Sequence, residues 1–190
     1  MKQAEKERLE AAKLPEGNII ALLLEQHARI RDLFERVSSS TGRQKQNAFD
    51  QLRELLAVHE TGEEMILRPV SKQTAGQKVT EARNHEEDEA THVLAELEKL
   101  DVSSPEFAAK FAAFEQAVSD HADHEEREEF PTVLAERTEE ELRRMGDRLQ
   151  AAERMAPTHP HPAAAGSTAA QMTLGPFAAM LDRARDALKG

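Results

Sequence analysis

The 190-residue chain is 39% hydrophobic and 32% charged, enough for one domain with a sizeable core, and its formal net charge of −11 argues against nucleic acid and against anionic membranes as partners. Cysteine, tyrosine and tryptophan are absent, which excludes disulfides and thiol chemistry and leaves any metal to His, Asp or Glu. Those ligands suit iron, manganese or zinc better than copper(I) or iron–sulfur clusters.

Abundant Ala, Leu, Glu and Arg favour helix. Residues 1–17 form a charged leader. A first amphipathic helix runs from about Asn18, its N-cap, to Ser40, where Thr41-Gly42 breaks it. A second runs from Arg43 to Arg68 and is expected to stop before Pro69. A third covers Gly76 to Leu100. The fourth starts at Ser104-Pro105, a cap followed by proline at the first helical position, and is expected to end before Pro131. A capping box, Thr138 with Glu141, opens a short fifth helix that fades near Met155. Short loops favour an all-α, up-down-up-down four-helix bundle over 18–155, with a short C-terminal extension. Residues 156–172, rich in Pro, Ala and His, read as a linker. An amphipathic segment within 173–190 carries Phe177, Met180, Leu181 and Leu188.

The sequence repeats itself once. His59-Glu-Thr-Gly-Glu63-Glu64 precedes Pro69, and His121-Ala-Asp-His-Glu125-Glu126 precedes Pro131, with the same spacings in both. Two helical hairpins of one ancestral type would produce this pattern. Helical periodicity also sorts residues into stripes. The first helix shows Ile20, Leu23, His27, Ile30, Phe34 and Val37. The second shows Phe49, Leu52, Leu56, His59, Glu63 and Ile66, and the fourth Phe107, Phe111, Phe114, Val118, His121 and Glu125. The third repeats the pattern less cleanly, as Ala82, His85, Glu89, Val93 and Leu97.

Histidines and glutamates thus interrupt stripes that should be apolar. A buried carboxylate must be paired, protonated or metal-bound. Three glutamates and four histidines converging from four helices need a common partner, and a pair of cations satisfies them all. A His and a Glu one turn apart, about 6 Å, can bind one metal or span two.

The order His27, His59-x-x-x-Glu63, His85-x-x-x-Glu89, His121-x-x-x-Glu125 resembles the hemerythrin-like (HHE) family over residues 18 to 155. The resemblance implies a left-handed four-helix bundle holding two iron ions bridged by oxo and carboxylate groups. By position, Glu63 and Glu125 would bridge. His27 and His59 would bind the iron with an open position, and His85, Glu89 and His121 the other. Oxygen-carrying members have HxxxH in the third helix, where this chain has Glu89. The extra carboxylate would stabilise the ferric state, which favours oxidant handling over reversible oxygen carriage.

Blander readings stand beside these. Each histidine alone could be a hydrogen-bonded core residue, and HEEDEATH could be a solvated face. His92, three residues after Glu89, is a rival for His85. His124, Glu64 and Glu126 read as supports for a ligating imidazole or as solvated groups. His159 and His161 read as surface residues of the linker. Phe107, Phe111 and Phe114 read as core that also seals the site. The functional expectations are peroxide decomposition of a catalase-like kind, reversible O₂ or NO binding or sensing, iron storage or oxidation, or a structural zinc site. Zinc ranks low, because seven ligands with two bridging carboxylates suit octahedral metals. The expected partners are small molecules (O₂, H₂O₂ or NO), with neither nucleic acid nor membrane, and the expected state is a monomer or weak homo-oligomer. No apolar run approaches 18 residues and the N-terminus has no signal core, so a cytoplasmic location is expected.

Overall fold

The computed structural model describes residues 1–161 and Asp182. Among these the fold is entirely helical: α1 (Gln3–Ala11), α2 (Ile19–Ser39), α3 (Gly42–Gly62), α4 (Arg68–Thr74), α5 (Gln77–Leu97), α6 (Pro105–His124), α7 (Phe130–Glu136) and α8 (Glu139–Met155). Two π-helical turns, Glu63–Leu67 and Glu125–Glu129, join α3 to α4 and α6 to α7. Helices α2, α3, α5 and α6 form a ring of neighbours, and α8 packs across α2, α3 and the first π-turn. The residues read as a charged leader form α1, which lies along α2 and buries Ala4, Glu7 and Ala11. Most of the 156–172 linker and of the 173–190 segment, with Phe177, Met180, Leu181 and Leu188, lies outside the described residues. No described helix is long and apolar enough to cross a membrane.

The expected caps are in place. Asn18 accepts from the Ile20 amide, Ser104 from the Phe107 amide, and Thr138 and Glu141 form their reciprocal box. The two proline stops are corrected: neither Pro69 nor Pro131 ends its helix. Each follows a π-turn and sits in the first turn of the next helical segment, where its missing N–H is not needed. The helices therefore continue to Thr74 and Glu136.

The core is in two pieces. One holds Phe34, Phe49, Leu52, Leu56, Leu94, Leu97, Phe107, Phe111 and Phe114. The other holds Ile19, Ile20, Leu23, Leu67, Phe130, Val133, Leu142 and Leu149. Fully burying each such side chain is worth roughly 1.5–3 kcal/mol. Along α2 the second piece gives way to the first at His27. Along α3 and α6 the first gives way to the second at His59–Glu63 and His121–Glu125. A polar layer therefore separates two apolar ones.

Candidate metal centre

The layer is built from five helices and both π-turns. His27 comes from α2, His59 from α3, Glu87 from α5 and His121 from α6. Glu63 and Glu125 open the two π-turns, Glu129 closes the second, and Arg68 begins α4. All of these are buried except His121, whose side chain is 12% exposed. π-turns of this kind recur at functional sites.

Each of the three imidazoles is held from behind. His27 Nδ1 donates to Glu126 Oε1 at 2.9 Å, His59 Nδ1 to Gln26 Oε1 at 2.7 Å, and His121 Nδ1 to Glu86 Oε2 at 2.9 Å. An acceptor on Nδ1 fixes the tautomer and leaves the Nε2 lone pair facing inward. There His27 Nε2 lies 3.2 Å from Glu125 Oε2 and His121 Nε2 lies 3.3 Å from Glu125 Oε1, in neither case with hydrogen-bond geometry. Both Glu63 oxygens, Glu87 Oε2 and Glu125 Oε2 also make no hydrogen bond among the described residues.

Burial pushes the Glu63 carboxyl well up, and the neighbouring Glu125 adds to it. Burial would do the same to Glu125, but His121 and Arg68 outweigh it and hold that carboxyl well below the usual range. Burial drives His59 well down, with His27 beside it. A neutral imidazole is the form that ligates.

Two groups of donor atoms lie within 4.8 Å of one another: His27, His59, Glu63 and Glu125, and Glu63, Glu87, His121 and Glu125. Of the residues read from sequence, His27, His59, Glu63, His121 and Glu125 come together here. His85 and Glu89 do not, and that assignment is corrected. Their side chains are 72% and 68% exposed and face each other across 3.4 Å on the surface. The buried stripe of α5 is Thr80, Arg83, Glu87, Thr91, Leu94 and Leu97. His92 is also on the surface, its Nδ1 on the Asp88 carbonyl at 2.8 Å. Glu126 takes the supporting role expected of it. His124 lies 3.2 Å from Glu86 and is 35% exposed. His159 is buried against Glu98, in contrast to the surface role read for it, while His161 contacts Asp182 at 2.9 Å.

A cavity of about 20 Å³ adjoins the three imidazoles, lined also by Ile30, Leu56, Ala90 and Val118. That is room for a water-sized molecule. Phe107, Phe111 and Phe114 pack together in the first apolar layer. The ring touching the centre is Phe130, stacked on His27 at 5.6 Å.

The donor set is that of a carboxylate-rich metal site inside a helical bundle. The residues fit a cation: inward lone pairs, buried carboxylate oxygens without donors, and oriented imidazoles. The family model for the hemerythrin HHE cation-binding domain matches residues 18–133, and the chain belongs to that family. Among similar proteins, an uncharacterised hemerythrin-like protein of Schizosaccharomyces pombe is 26% identical over 137 residues, 70% of this chain and 68% of that one. A protein of Nostoc named a DNA nickase is 26% identical over 136 residues, but the chain spans only 39% of its length. The crystal structure of an HHE cation-binding domain protein from Mycobacterium kansasii shares the fold. Its TM-score is 0.62 at 24% identity, over 70% of this chain and 82% of that one.

Proposed function

We propose that the centre binds iron and disposes of a small oxidant, hydrogen peroxide first among them. The observation that supports this most is the pairing of the inward Nε2 atoms with a cavity of about 20 Å³ beside them. A substrate there must be about the size of peroxide, O₂ or NO. Iron bound to this set would supply reversible electron transfer to a small ligand. The carboxylates favour its oxidised state, which suits oxidant removal better than reversible carriage. In the overall reaction one peroxide is oxidised to O₂ while another is reduced to two waters, so electrons and protons balance without a further reductant.

The chain's own residues contribute orientation and dryness. Gln26, Glu126 and Glu86 hold the imidazoles, and Ile30, Leu56 and Val118 keep the cavity apolar. Glu60 lines the same cavity. Burial raises its carboxyl to about 8, and Thr91 donates to it at 2.7 Å. The family resemblance implies two irons. The His27, His59, Glu63 and Glu125 group suits one directly, and the Glu63, Glu87, His121 and Glu125 group is the place for the other.

Iron-loaded protein is expected to release O₂ from hydrogen peroxide, and Glu63→Ala to lose that activity. Equal turnover by metal-free protein would sink the proposal. A second reading, reversible binding of O₂ or NO, draws on the same small apolar cavity. An oxy or nitrosyl spectrum that reverts under argon, with no peroxide turnover, would favour it. Iron storage is disfavoured by a cavity with room for one small molecule. The partners proposed are small molecules alone, since a net charge of −11 works against binding DNA.

A further inference from the structure

Arg68 lies inside the centre. Its Nη2 contacts Glu87 Oε1 and Glu125 Oε1 and stands 3.5 Å from Glu63 Oε2. Its Nε donates to Glu87 Oε1 at 2.9 Å, and its Nη1 to Glu129 Oε2. Glu63, Glu87 and Glu125 are the three carboxylates of the second donor group, which only His121 completes. We propose that Arg68 is a resident cation in that half of the centre, and that the chain holds one metal ion, on His27, His59, Glu63 and Glu125. The inference rests on the metal-centre reading above and departs from it in nuclearity.

Several observations converge. A guanidinium does not lose its charge in proteins, so a metal ion among the same oxygens would meet both a competitor and a repelling neighbour. Arg68 is 3% exposed, and its anchor Glu129 is itself fixed by Ser71 Oγ at 2.6 Å. The first donor group is left open to a metal: on Glu125 the guanidinium takes Oε1, while Oε2 makes no hydrogen bond.

The repeat shows the same asymmetry. Arg68 follows Glu63 by five residues, and Phe130 follows Glu125 by five, each just after a π-turn. The structurally matched positions carry different chemistry. Phe130 puts an apolar ring against His27, beside the first group, whereas Arg68 puts a cation into the second.

The test is metal content of the full chain. Metal-free protein is loaded anaerobically with excess ferrous iron, desalted and analysed, then the same is done with manganese(II), read by electron paramagnetic resonance. Wild type is expected to retain one ion per chain and to give the spectrum of an isolated manganese ion. Arg68→Gln is expected to retain two, with the spectrum of an exchange-coupled pair. Two ions in wild type would overturn the inference and leave the metal centre standing. One ion in both proteins would overturn the role given to Arg68. No ion in wild type would overturn the metal-centre reading itself. The wild-type stoichiometry and manganese spectrum decide the question even where R68Q fails to fold.

Discussion

Gln26 bears no charge and has no place in the repeat, yet it links the outer helix to the centre. Its Oε1 accepts from His59, and its Nε2 donates to Glu153 of α8 at 2.6 Å. Supports of this kind set ligand orientation and basicity, and their loss lowers metal affinity by about 10–100-fold. Gln26→Ala is therefore expected to weaken metal binding by about that factor while leaving helicity unchanged, measured by competition with a chelator and by circular dichroism. His27, His59, Glu63, His121 and Glu125 were legible in sequence because each breaks an otherwise apolar stripe. Gln26, Glu86 and Glu129 were not, since a polar residue beside a stripe looks the same whether it faces solvent or a ligand. Arg68 was hidden by Pro69, which suggested a helix end where the helix continues.

At the scale of elements, α5 shows why the third-helix assignment failed. The stripe His85, Glu89, Val93, Leu97 advances four residues at a time, and each such step drifts about 40° around a helix of 3.6 residues per turn. The buried stripe mixes steps of three and four, from Thr80 through Glu87 to Leu94 and Leu97. The spacing of Leu94 and Leu97 was the available signal. It was weak because threonine, arginine and glutamate fill most of the remaining positions on that face. The π-turns were not readable either, although the repeated HxxxEE motif marks where each begins. Helix α8, by contrast, was announced by its capping box. It is locked to the turn just before α2 by Gly146, where an added Cβ would stand 2.0 Å from the Gly17 carbonyl oxygen. Backbone cannot yield as a side-chain tip can, so Gly146→Ala is expected to destabilise by about 3 kcal/mol, checked by urea denaturation.

At the scale of the whole molecule, charge is distributed inward as well as outward. Glu7 of α1 is buried, held by Arg31 of α2, which also reaches Asp123 at 2.8 Å. Burial pushes the Glu7 carboxyl above its ordinary 4.5, more than Arg31 pulls it down. A raised carboxyl binds its proton more tightly in the folded chain than in the unfolded one. Its contribution is complete below 4.5 and is lost as pH rises through the folded value. Glu7→Gln is thus expected to gain stability relative to wild type as pH rises from 4.5, followed by denaturation across that range. A difference that stays flat with pH would contradict the assignment.

The layered core has a consequence for how long the molecule lasts. Its two apolar halves are held apart by a sheet of carboxylates that the chain balances only in part. An ion that binds the folded form and not the unfolded one adds its binding free energy to folding. Occupancy and lifetime then become one variable: a chain starved of its ion opens more often, and each opening exposes it to proteolysis. The supply of metal would in this way set the amount of protein as well as its activity.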